Sequence, residues 1–447
     1  MKTIHFIMLL AFLGAACSTD SIRTYDLLLE NVNLWDGIDD TLHRGAYVYL
    51  LDGRIAHISN QADGAAKESI DGTGMYLIPG LWDAHVHTTD YQRDFPKFME
   101  HGVTSVLIPG GSTCTDAYYA DMRAMGEQDS LPAPKVFHTS QHFSMEGRHP
   151  VKTYPTPRWV EGETVYFLRD TQQITELVEE VAKKPIDGIK LTIEDGPHPP
   201  FVQRMPREFV NQVERQAARH GLRVFTHVSD NLEFEMAIDA GITEFLHFTG
   251  IDLDARRDSA LLAKLDGREY HLVTTFMIDK SFLYPKFPEW VEEAGLREQY
   301  GDEPFAELYS PQKKAIAEEF YSYYTEVTGK TEPSLADMFT FQVEDLRLLQ
   351  DRGFNLVTGT DVGNTFNLPG HSMHEELELL VLGGMTPAEV LRMATINAAR
   401  MLEVDDDLGT LEVGKVANMV LLKNNPLADI RNSRSIEMVL KNGRVQQ

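Results

Sequence analysis

His85 and His87, two residues apart, are the first side chains in this chain whose type and spacing could do chemistry. They end the run Pro79-Gly80-Leu81-Trp82-Asp83-Ala84-His85-Val86-His87, which reads as a strand. Side chains alternate along a strand, so both imidazoles face one side and can share a metal ion. Such a pair is weak evidence among 16 histidines, and other residues have to support it. Three do. His227 closes Leu222-Arg223-Val224-Phe225-Thr226-His227, His247 closes Ile242-Thr243-Glu244-Phe245-Leu246-His247, and Asp361 closes the strand-like run from Phe354. A single histidine at a strand end is more often structural, but ligand-type groups gathered at four strand ends point to a centre. Mixed nitrogen and oxygen donors suit a divalent first-row ion, zinc being the expected one, with one or two ions per chain.

Lys190 is the sharpest remaining residue. It sits inside Asp187-Gly188-Ile189-Lys190-Leu191-Thr192-Ile193, where the pattern calls for an apolar side chain. Burying an unpaired ammonium is expensive. An ion pair with Asp361 or Glu194 would resolve it, and so would service as a Schiff-base nucleophile. A third resolution is carboxylation by CO2, which turns the lysine into an anionic oxygen ligand able to bridge two metals. The surrounding histidines favour the third.

The elements that must position these groups alternate between strand and helix. Strand cores are expected at 81–87, 103–108, 135–140, 187–193, 222–228, 242–248, 271–277 and 354–361, with helices such as 206–220 and 230–240 between them. Eight β/α units predict an α/β fold, a (β/α)8 TIM-like barrel whose chemistry gathers at the C-terminal strand ends. Near the end, Thr386 and Glu389 form a capping box around Pro387, opening a helix whose apolar face is Val390, Leu391, Ala394 and Met401. Both chain ends are instead β-rich, with hairpin turns at Asp52-Gly53 and Asn442-Gly443. The expected division is a signal peptide at 1–16, a small β-sandwich built from 17–78 and 406–447, and the barrel at 79–405. Two connections are long: 141–171, with Arg148, His149 and Arg158, and 278–340, rich in aromatics. Most of those aromatics are expected to pack the excursion's own core, although long loops also serve as lids.

Composition narrows the function further. A net charge of −27 disfavours nucleic acid as a partner. With two cysteines, Cys17 and Cys114, a disulfide framework and a Cys-rich zinc site are both excluded. Cys114 reads as a small buried thiol. Lys2 followed by an apolar stretch to Ala16 has the anatomy of a secretory leader, too short for a membrane span. It runs into Cys17 in a lipobox-like setting, although Gly14 stands where a large aliphatic residue is usual. An exported chain, in the periplasm or lipid-anchored through Cys17 at the membrane surface, is the expected placement.

Taken together, these motifs resemble the amidohydrolase superfamily, closest to its imidazolonepropionase-like and prolidase-like branch, over about 23–447. His374-Glu375-Glu376-Leu377, Ala394-Thr395-Ile396-Asn397-Ala398-Ala399 and Leu408-Gly409-Thr410-Leu411 follow the same pattern. The resemblance implies that His85, His87 and Asp361 hold one metal. It places His227 and His247 on a second, with carboxylated Lys190 bridging. The implied chemistry is metal-assisted hydrolysis of a C–N bond in a small amide, cyclic amide or dipeptide, with Asp361 moving the proton. His149 stands near the place of a substrate-contacting histidine, within Ser144-Met145-Glu146-Gly147-Arg148-His149 in place of the usual Gly-Gly-His. Arg148 is a candidate clamp for a substrate carboxylate. Asn418 stands where an aspartate is usual in the C-terminal sheet. A homo-oligomer is the expected assembly. Other readings are a mononuclear site in which His247 hydrogen-bonds substrate, a Schiff-base enzyme using Lys190, and a surface binding protein with a degenerate site.

Overall fold

Alternating apolar residues at the two ends of the chain meet in one sheet. The computed structural model describes residues 24–446, apart from 197–200, 249–250, 266, 292–294, 307 and 365. The leader and Cys17 lie outside the described residues. Thr24–Trp35, Leu42–Leu51, Arg54–Ser59, Ala65–Asp71 and Tyr76–Pro79 come from the first end, and Met419–Leu422, Ile436–Lys441 and Arg444–Val445 from the other. Tyr76–Pro79 pairs antiparallel with Met419–Leu422 and joins the two ends. All eight strands form one hydrogen-bonded sheet built from both chain ends. Its inward residues, among them Leu29, Val32, Val48, Leu77, Leu421 and Leu440, form a core of their own. At both predicted hairpins the two turn residues take positive φ: Asp52 +51° with Gly53 +77°, and Asn442 +48° with Gly443 +70°. That backbone matches the twist of the flanking strands, and glycine accepts it without a Cβ penalty.

Between the ends lies a parallel α/β body. One sheet has Leu81–Asp83, Val103–Ile108 and Lys135–His138. The other runs Val165–Phe167, His142–Ser144, Ile189–Thr192, Val224–His227, Glu244–Phe245, Tyr270–Val273 and Phe354–Val357. Backbone hydrogen bonds cross between the sheets at both edges. Ala84 N donates to Thr358 O at 3.1 Å and Asp361 N to His85 O at 2.8 Å on one side; Ser140 N donates to Gly188 O at 2.8 Å on the other. Helices such as Arg207–Arg219 and Asn231–Ala240 pack their buried residues, Val210, Val213, Phe234 and Ala237 among them, into the large core.

Each predicted strand core contains a strand, generally shorter than read. The 242–248 run keeps only Glu244–Phe245, and the 271–277 run turns helical at Phe276. The cause of that turn is remote in sequence: Glu376 accepts from Phe276 N at 3.0 Å and Met277 N at 2.8 Å, capping the helix Phe276–Leu283. The capping box at Thr386 and Glu389 forms as expected. Its helix, however, is two, Pro387–Met393 and Ile396–Met401, because Ala394 O accepts from Trp82 N at 2.8 Å instead of continuing the helix. The 141–171 connection, read as loop, supplies His142–Ser144 and Val165–Phe167 to the parallel sheet. In the second long connection, Tyr284, Phe305 and Tyr324 are buried in the large core shared with the parallel body, where a small core of the excursion's own was expected, and Phe282, Phe320 and Tyr323 line the central cavity.

Candidate metal centre

Three electron-rich atoms converge just beyond the strand Leu81–Asp83. His85 Nδ1 lies 2.9 Å from Leu246 O and His87 Nδ1 lies 2.8 Å from Gly110 O. A carbonyl only accepts, so both Nδ1 atoms carry the proton and both Nε2 atoms present lone pairs. Those two Nε2 atoms are 3.1 Å apart. Asp361 Oδ1 stands 3.6 Å from the first and 3.3 Å from the second. Lone pairs and a carboxylate facing one another in a buried site repel unless a cation lies among them.

The rest of the cluster has the same character. His247 Nε2 is 3.9 Å from Asp361 Oδ2, so His85, His247 and Asp361 form one group with metal-ligand spacing. His149, Glu194 and His227 form a second. The rings of His227 and His247 are 4.0 Å apart and link the two groups. Lys190 is fully buried. Its Nζ, His247 Nε2, Asp361 Oδ1 and Glu194 Oε1 are buried without a hydrogen-bond partner. Native proteins rarely leave so many buried polar atoms unpaired in one place, and divalent cations would satisfy them. The donors present therefore fit a metal centre.

Burial sets the protonation. Loss of solvation holds His85, His227 and His247 well below the ordinary imidazole range and His87 at about 4, so all four are neutral. Neutral imidazole is the metal-binding form. Burial raises Asp361 to about 7 against the opposing pull of Lys190, and lowers Lys190 to about 7 against Asp361 and Glu194.

Backbone close approach and one buried acid hold the ligands in place. A Cβ on Gly359 would lie 2.9 Å from His85 N and 2.5 Å from Val273 Cγ1, so only glycine lets the Asp361 segment pass so near His85. Asp361 itself has φ +54°, a strained conformation for a residue with a side chain. Asp83 accepts from Thr360 N at 2.9 Å, from Thr360 Oγ1 at 2.6 Å and from His85 N at 3.3 Å. It thereby ties the Asp361 segment to the His85 segment.

A cavity of about 660 Å³ opens over the cluster. His87, His149, Glu194, His227, His247 and Asp361 face it, while His85 and Lys190 lie behind. Tyr154, Trp159, Phe201, Phe282, Phe320 and Tyr323 line the remainder. Arg148 is not among the lining residues; its guanidinium donates to Arg204 O and, at 3.4 Å, to Gln203 Oε1. Arg204 does face the cavity, but Asp195, Asp230 and Glu233 hold it at 2.6, 2.8 and 3.1 Å. Sequence reasoning weighed Glu194 only as a partner for Lys190 and did not single out Asp83. The available signal was parity: Lys190, Thr192 and Glu194 alternate on one side, as do Asp83, His85 and His87.

Residues 76–445 match the amidohydrolase family model. The chain belongs to the amidohydrolase family. Its class of chemistry is hydrolysis at carbon–nitrogen bonds. The imidazolonepropionase of Brevibacillus brevis is 26% identical over 426 residues, covering 89% of each chain. The ochratoxinase of Aspergillus niger is 24% identical over 446 residues, 90% of this chain and 83% of that one. A match to the allantoinase of Desulfitobacterium hafniense is 34% identical but local, 121 residues covering 26% of that protein. Among solved structures, a Xaa-Pro dipeptidase with methionine bound in its active site superposes with a TM-score of 0.69 at 20% identity, over 94% of this chain and 99% of that one.

Two outcomes are expected. Asp361 must lose its proton to bind a cation, while the imidazoles are already neutral. Affinity for a divalent metal at this amidohydrolase site therefore weakens by about tenfold per pH unit below about 7 and levels off above it, as measured by titration against a chelator. Asp83→Asn, which loses one acceptor for Thr360, lowers that affinity by about 10- to 100-fold with little change in the circular dichroism spectrum; an unchanged affinity would remove Asp83 from the ligand-positioning set.

Proposed function

We propose that the chain is a metal-dependent hydrolase of small amide substrates, cyclic amides or dipeptides, working at a binuclear centre at the mouth of a closed (β/α)8 barrel. The observation that carries this reading is the convergence of the His85 and His87 lone pairs on Asp361. His85, His87, His247 and Asp361 would hold one cation, and His227 would belong to the other. Zinc is the expected metal, in view of the mixed imidazole and carboxylate donors. Carboxylation of Lys190 would supply a bridging oxygen ligand, a role supported by its buried, partnerless Nζ.

When bound, the cations lower the pKa of water toward neutrality and polarise a substrate carbonyl. Asp361 Oδ1, lacking a hydrogen-bond partner and facing the cavity, is placed to take the proton from the attacking water. The same carboxyl then gives that proton to the departing nitrogen, acting as base and then acid. The aromatic lining excludes water from the apolar part of the substrate and suits an amide with an apolar or aromatic side group. A dipeptide is the substrate class named for the Xaa-Pro dipeptidase to which this chain is similar in fold. A carboxylate clamp by Arg148 finds no support, since that guanidinium is engaged by the backbone of Arg204.

Hydrolysis of a panel of amides, cyclic amides and dipeptides should stop on chelation and return with zinc, cobalt or manganese. Asp361→Asn should lower kcat by about 10²- to 10⁴-fold; activity indifferent to chelators would rule the reading out. We further propose export and lipid attachment at Cys17, supported by the apolar leader and the small residues before that cysteine. Labelling with an acyl probe in a bacterial host should then mark the chain and fail for Cys17→Ser, whereas equal labelling of both would sink the anchor.

A further inference from the structure

The cavity over the metal centre has a wall that the hydrolytic chemistry does not use. Two helices that pack against each other in the second long connection build it. Phe276–Leu283 presents Asp279 and Phe282, and Pro311–Thr328 presents Glu319, Phe320 and Tyr323. Spacings of three and four residues keep these side chains on one face of each helix. The rings of Phe282 and Phe320 meet across the helix pair, their centroids 4.6 Å apart. Asp279 is 2% exposed and accepts from Tyr324 Oη at 2.5 Å and from Gln342 Nε2. Burial and then the Asp279 charge push the Tyr323 hydroxyl upward, which places that charge close to the Tyr323 ring. Glu319 is exposed, and no cation pairs with it among the described residues.

The charge around this wall has one sign. Among the described residues lining the cavity, Arg204 is the one permanent cation, and Asp195, Asp230 and Glu233 already hold it. Burial keeps the lining imidazoles of His87, His142, His227 and His247 neutral. With Glu194 and Asp361 left to the metal centre, the lining carboxylates Asp195, Asp230, Asp279 and Glu319 outnumber that single guanidinium. The chain's net charge of −27 extends the same field outward, drawing cations in and turning anions away. Aromatic faces beside carboxylates are a recognition set for an organic cation, because the ring quadrupole attracts the cation while the acids balance its charge. We propose that this wall is a subsite for a positively charged end of the substrate, an ammonium or guanidinium on an apolar stem, with Glu319 and Phe320 as specificity-determining residues.

This inference rests on the hydrolase reading above for its reaction and adds to it the charge of the substrate. The scissile amide goes to the metal centre and the cationic end lies against the two helices. A plain alternative is that the acids only keep the cavity rim solvated and the rings only bury apolar surface. Substrate charge would then make no difference.

Two measurements on the zinc-loaded chain test the proposal. The first is calorimetric binding of phenethylammonium against its neutral counterpart 2-phenylethanol. The cation should bind at least about tenfold more tightly, by an advantage that shrinks as salt is raised. The second takes whichever amide scaffold the hydrolysis panel shows to be cleaved and varies its far end between ammonium, hydroxyl and carboxylate. kcat/KM should fall in that order. Glu319→Gln, a change at an exposed position, should lower the ammonium-to-hydroxyl ratio by about two- to fivefold through KM. Phe320→Leu should weaken phenethylammonium binding by about three- to tenfold. Equal binding of the cation and the alcohol would overturn the proposal. So would a cation preference that both variants leave intact, since the charge would then be recognised elsewhere in the cavity. No hydrolysis of any amide, with the cation preference present in wild type and reduced in the variants, would bring down the hydrolase reading and leave the subsite standing.

Discussion

The meeting of His85 Nε2, His87 Nε2 and Asp361 Oδ1 within 3.6 Å, with both imidazole protons already committed to backbone carbonyls, is the constraint on which the rest of this structure turns. In water such groups would be solvated and would move apart. Here burial removes the water and the backbone removes the freedom. The arrangement is favourable only with positive charge among the donors. The Lys190 ammonium could offer some, but its Nζ makes no hydrogen bond to any of them. Divalent cations offer far more charge and match the lone-pair directions.

Much of the surrounding sequence can be understood as holding that unfavourable geometry. Parallel strands bring their C-terminal ends to one rim, and His85, His227, His247 and Asp361 sit at or just past four of those ends. Gly359 allows the closest backbone approach, and Asp83 joins Thr360 to His85. Asp361 keeps a left-handed backbone. Strain of that kind survives where neighbours over-determine it, and it gathers at functional sites. The terminal sheet stands apart from this chemistry, with a separate core and its own hairpins. Its link to the site is mechanical: Tyr76–Pro79 leads directly into Leu81–Asp83, just beyond which His85 lies.

The legible part of the molecule was whatever depends on periodicity and short-range chemistry. Both turns with positive φ, the capping box at Thr386 and the location of every strand core followed from local residue types. His85, His87, His227, His247, Lys190 and Asp361 were readable because strand ends in such folds share a rim. Partners set by tertiary contact were not readable. The Glu376 cap that turns 276–283 helical is about a hundred residues from its target. Trp82 ends the helix Pro387–Met393 by taking the Ala394 carbonyl. Arg148 looked like a clamp until its contact with Arg204 was seen, and the placement of His149 and His227 beside Glu194, from distant parts of the chain, could not be read from local pattern. A charge in a sequence does not reveal which neighbour will claim it.

Anomalous diffraction from crystals of the zinc-loaded chain, recorded on both sides of the zinc absorption edge, addresses the central claim most directly. The account predicts one zinc peak among His85, His87, His247 and Asp361 and a second against His227, within reach of Glu194. Absence of any peak in loaded crystals, with ordered waters hydrogen-bonded to His247 Nε2 and Asp361 Oδ1 instead, would contradict it.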